Sequence, residues 1–65
     1  MSDIEISRLL RNQIAFLRMA AVEMRNIADQ APEVASQLRM MADQLDAEAA
    51  DLLRQLGGSD LLHSN

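Results

Sequence analysis

Residues 28–56 read ADQAPEVASQLRMMADQLDAEAADLLRQL, and this stretch decides the fold. Pro32 has no N–H and biases Ala31 away from helical dihedrals, so it ends one helix and suits the first position of the next. Beyond it, Ala35, Ala42, Ala49 and Leu56 recur at one heptad position, and Leu38, Leu45 and Leu52 at another. Glu33 sits in the first turn, where a carboxylate complements the helix dipole. Gly57-Gly58 follows Leu56 and predicts a C-cap.

Working back from Pro32, the residues Leu10, Ile14, Leu17, Ala21, Met24, Ala28 and Ala31 alternate steps of four and three, the stripe of a continuous helix. Ser2 and Glu5 have the spacing of a capping box. The sequence therefore predicts helix over about 3–30, a turn near 30–33, and helix over about 32–56. Residues 1–58 form a single hairpin domain, with 59–65 expected as a flexible tail on which Leu61 and Leu62 could fold back.

A short turn makes the helices antiparallel. Residues whose numbers sum to about 66 should then share a layer, setting Leu17 against Ala49, Ala21 against Leu45, Met24 against Ala42 and Ala28 against Leu38. Each pair matches a large residue with a small one. The same register sets Arg18 opposite Asp46 and Arg25 opposite Arg39.

A hairpin of 65 residues without cysteine buries little surface, and no His/Asp/Glu cluster has metal-site spacing, so association is the remaining source of stability. The flanking positions Ile6, Ala20, Ile27, Val34 and Met41 widen the apolar stripe beyond a two-helix seam. The expected assembly is all-α, a homodimeric four-helix bundle that could extend to a tetramer.

Composition limits the function classes. The longest uncharged apolar stretch, Met19 to Val22, is too short to span a bilayer, which points to a cytoplasmic protein with no membrane partner. The net charge of −4 falls on residues 32–65, while residues 6–22 hold three arginines and no acid. No nucleophile–base pair, phosphate-cradling loop or metal motif is present, so neither catalysis nor a cofactor is expected. The remaining enzyme reading is a cofactor in a bundle interior that no motif announces.

The outer face of helix 1 carries Leu9, Asn12, Phe16 and Met19 beside Arg8 and Arg11, the mixture found at interaction surfaces. Two readings stand: a partner-binding patch, or apolar side chains covered by an oligomer. Arg11, Arg18 and Arg25 recur every seven residues and could track phosphates or simply be solvated. The run Asp43, Asp46, Glu48 and Asp51 reads as a solvated face. The methionines read as core filling or an adaptable surface. His63 has no partner with which to form a site.

The two near-equal helices, short turn and Ala/Leu heptads resemble the Rop family of plasmid RNA-binding hairpins. That resemblance implies an antiparallel dimer binding paired RNA loops on the outward faces of its first helices. Asn12 and Phe16 match the family's Asn-x-x-x-Phe spacing, with Arg8 and Arg11 as a source of charge. Ala20 stands where a glutamine is expected, and Glu5 and Ile27 where lysines are expected, so two of five positions agree. Residues 19–56 also look like short bacterial helical hairpins rich in Met-Ala and Leu-Ala pairs, for which no function is established. The sequence thus supports a non-enzymatic interaction module that associates with itself and engages a protein partner, with RNA binding as the alternative.

Overall fold

The computed structural model describes residues 2–64, with side chains described for 2–57. Helix α1 spans Asp3–Gln30, a 3-10 turn spans Pro32–Val34, and helix α2 spans Ala35–Ser64. The two helices pack antiparallel as a hairpin, and no strand occurs among the described residues. The molecule measures 48 × 22 × 12 Å, so it is a single layer, one helix thick.

Local chemistry accounts for both ends of α1. The Glu5 N–H donates to the Ser2 Oγ at 3.2 Å, satisfying one free amide of the first turn. The Ser2 hydroxyl in turn donates to the Glu5 carboxylate at 3.3 Å. At the other end, Ala31 takes φ −130° and ψ 78°, outside the helical region as a residue before proline should be. The Pro32–Val34 turn then feeds directly into α2 at Ala35. Helix α2 therefore begins three residues later than the sequence predicts, because the proline turn is wound as a tighter 3-10 segment.

The core is the expected heptad seam. Ile14, Leu17, Ala21, Ala28, Ala35, Ala42 and Ala49 are buried, and Leu45, Leu52 and Leu56 close over the Ile14–Leu17–Ala49 cluster. Only two of the seven buried residues are larger than alanine. Small side chains along the seam let the backbones approach closely and leave little large apolar surface inside.

The expected stop at Gly57-Gly58 is corrected, because α2 continues in helical conformation to Ser64. Among the described residues no glycine has positive φ, the conformation a glycine C-cap requires. Glycine permits that ending without enforcing it, and no proline follows to prevent continuation. The expected tail thus has helical backbone over residues 59–64. Any fold-back of the Leu61 and Leu62 side chains, together with Asn65, lies outside the described residues.

A Cβ on Gly57 would meet nothing within 4 Å. Replacement of Gly57 by Ala should therefore raise helicity and stabilise the protein by up to about 1 kcal/mol, the difference in helix propensity. Urea titration followed by circular dichroism checks this. A glycine ending the helix in the left-handed region would make the same substitution destabilising.

Candidate interaction surfaces

Two grooves beside the seam define the two broad faces of the hairpin. One is lined by Gln13, Leu17, Glu48, Asp51 and Leu52. The other is lined by Arg11, Ile14, Leu53, Leu56 and Gly57. Gln13 and Glu48 therefore mark one face, and Arg11 and Leu53 the opposite one. Helical periodicity assigns the remaining residues from these anchors.

Ile6, Ala20 and Ile27 lie one or two heptads from Gln13, and Leu9 and Phe16 lie four before and three after it. On α2, Val34 and Met41 share the heptad position of Glu48. The Gln13 face therefore collects exposed Ile6, Leu9, Phe16, Ile27, Val34 and Met41. None of the six arginines falls on it.

The opposite face is charged. Arg18 and Arg25 share the heptad position of Arg11, and Arg39 and Asp46 share that of Leu53. Arg25 reaches two carboxylates, Asp43 at 2.9 Å and Asp46 at 2.8 Å. Arg39 pairs with Asp29 at 3.0 Å, whereas Arg54 pairs, one turn away on α2, with Asp51 of the Gln13 face. Hydrogen bonding from Asp43, then from Asp46, raises the Arg25 pKa above its ordinary value. A raised pKa contributes stability while the guanidinium and its carboxylate partners are all charged, and that stability is lost at the alkaline end as pH climbs through the folded-state value.

This pairing corrects the expected register, in which Arg25 faced Arg39 and Arg18 met Asp46. Arg25 instead meets Asp43 and Asp46, four and seven residues beyond Arg39, and Arg39 reaches back to Asp29, while Leu17 and Ala49 share a core cluster as expected. Arg8, Arg11 and Arg18 make no ion pair with a described residue.

The six residues expected on the outer face of helix 1, Arg8, Leu9, Arg11, Asn12, Phe16 and Met19, are all exposed. At 100° per residue they spread over about 160° of the helix. Leu9 and Phe16 belong to the apolar face, Asn12 and Met19 to the outer ridge, and Arg8 and Arg11 to the charged side. In agreement, Arg8, Arg11 and Asn12 line a shallow depression with Asp3, Ile4 and Ser7. Sequence reading separated Leu9 and Phe16 from the flank of Ile6, Ile27, Val34 and Met41. Their heptad positions adjoin that flank, and this was the available signal.

Among the described residues, no group of three or more His, Cys, Asp or Glu side chains converges. The side chain of His63 lies outside them. No described helix is long and apolar enough to cross a membrane. No family model, curated protein or solved structure matches the chain.

The Arg25 bridge is exposed, so salt should screen it. Asp43→Asn with Asp46→Asn is expected to lower the melting temperature slightly in dilute buffer. The difference should vanish near about 1 M NaCl, where the Debye length is about 3 Å. A loss that persists at high salt would show that the aspartates act through packing.

Proposed function

We propose that this chain is a non-enzymatic interaction module that works as a homodimeric four-helix bundle. The carrying observation is the placement of its large apolar side chains. Among the described residues eleven are substantially exposed, while the buried core holds only Ile14 and Leu17 beyond alanine. The chain exposes 5115 Å² at 7.2 kDa, whereas a compact monomer of that mass exposes about 4,100 Å². A second hairpin supplies the missing layer, since two-layer packing around one core is the usual minimum for a stable domain.

The test is the solution mass, measured by light scattering with refractive-index detection because the chain lacks Trp and Tyr. A mass twice that of the chain, falling on dilution together with helicity, is the expected result. A folded monomer at all concentrations would refute the reading.

A second reading, RNA binding of the kind the Rop resemblance implies, is favoured by one observation. Asn12 and Phe16 are both exposed one turn apart, and Arg8, Arg11 and Arg18 nearby have no carboxylate partner among the described residues. It requires affinity for paired RNA loops that falls steeply between about 50 and 200 mM salt. Absence of binding at the lower concentration removes it.

A further inference from the structure

We infer that the second copy docks on the Gln13 face, the one bearing Ile6, Leu9, Phe16, Ile27, Val34 and Met41, and that the arginine face stays in water. This rests on the self-association proposed above and adds which surface is covered.

Three observations choose the face. Of the eleven large apolar side chains that are exposed among the described residues, six lie on the Gln13 face, three on the arginine face (Ile4, Val22 and Leu53), and Met19 and Met40 lie on outer ridges. The arginine face carries the Arg25 and Arg39 bridges, and covering it would desolvate them. The Gln13 face has no arginine and no bridge between the two helices; its carboxylates are Glu23, Glu48 and Asp51, the last paired with Arg54 within α2.

Size and self-complementarity choose the occupant. The hairpin outline of 48 × 22 Å offers roughly 1,000 Å², against about 800 Å² per partner in a standard stable interface. A dimer of identical chains presents the same patch from both sides. A two-fold axis lying in this face brings the apolar patch of one hairpin onto the same patch of the other. Phe16 is at the middle of that contact, where aromatic residues carry most binding energy.

The experiment uses single-tryptophan reporters, which are unambiguous because the chain has no Trp or Tyr. Phe16 is 65% exposed and Val22 is 55% exposed in the single hairpin, so Phe16→Trp and Val22→Trp start from similar accessibility on opposite faces. At concentrations giving the doubled mass, acrylamide should quench Phe16→Trp several-fold less than Val22→Trp, and the difference should disappear on dilution. A charge on each face gives a second readout: Ile27→Glu should halve the mass and Val22→Glu should leave it doubled. Equal quenching at the doubled mass, protection of Val22→Trp, or loss of the dimer in Val22→Glu alone would overturn the assignment while leaving self-association intact. A monomeric mass for the unaltered chain would instead overturn the self-association on which it rests.

Discussion

Five alanines, Ala21, Ala28, Ala35, Ala42 and Ala49, line the contact between the two helices, and the remaining features of the molecule follow from that close approach. A seam of small residues holds two backbones side by side with few cavities, yet it removes little apolar surface from water. The larger side chains are displaced to the margins. Leu38, Leu45 and Leu52 are half-covered at the edge, and Ile6, Ile27, Val34 and Met41 stand beyond it. Close approach in one direction and unfinished burial in the perpendicular direction have the same cause.

Charge follows the same division. Arg25, Arg39 and the aspartates that answer them occupy the face opposite Gln13, and the Arg25 bridge to Asp43 and Asp46 spans the two helices there. Exposed ion pairs of this kind contribute little to stability. Their effect is on specificity, because bridges that tie the two helices together make the face they occupy costlier to dehydrate.

The helical periodicity and Pro32 made both elements and their antiparallel arrangement legible in the sequence, and the capping hydroxyl of Ser2 lies where its spacing put it. Two features were not legible. Whether Gly57 ends a helix depends on the dihedrals it adopts, and residue type leaves both outcomes open. The partners of Arg25 depend on how the Pro32–Val34 segment winds and how far the long guanidinium side chain reaches, and they lie four and seven residues beyond the Arg39 expected opposite it. The candidate surface was read residue by residue on α1 alone. Its division into an apolar and a charged face emerges only when Glu48 and Leu53 on α2 fix which flank each α1 residue shares.

Pro32 has a role beyond reversing the chain. The seam repeats with the heptad, so sliding one helix along the other by seven residues, about 10.5 Å, again sets alanine and leucine rows in contact. The rows themselves do not encode an absolute position, nor do they record which chain supplies the second helix. That information resides in Ala31 and in the three residues of the proline turn, which hold α2 against its own α1. A connection of four residues is thus what separates a closed hairpin from helices exchanged between neighbouring chains, an exchange to which repetitive seams are inherently open.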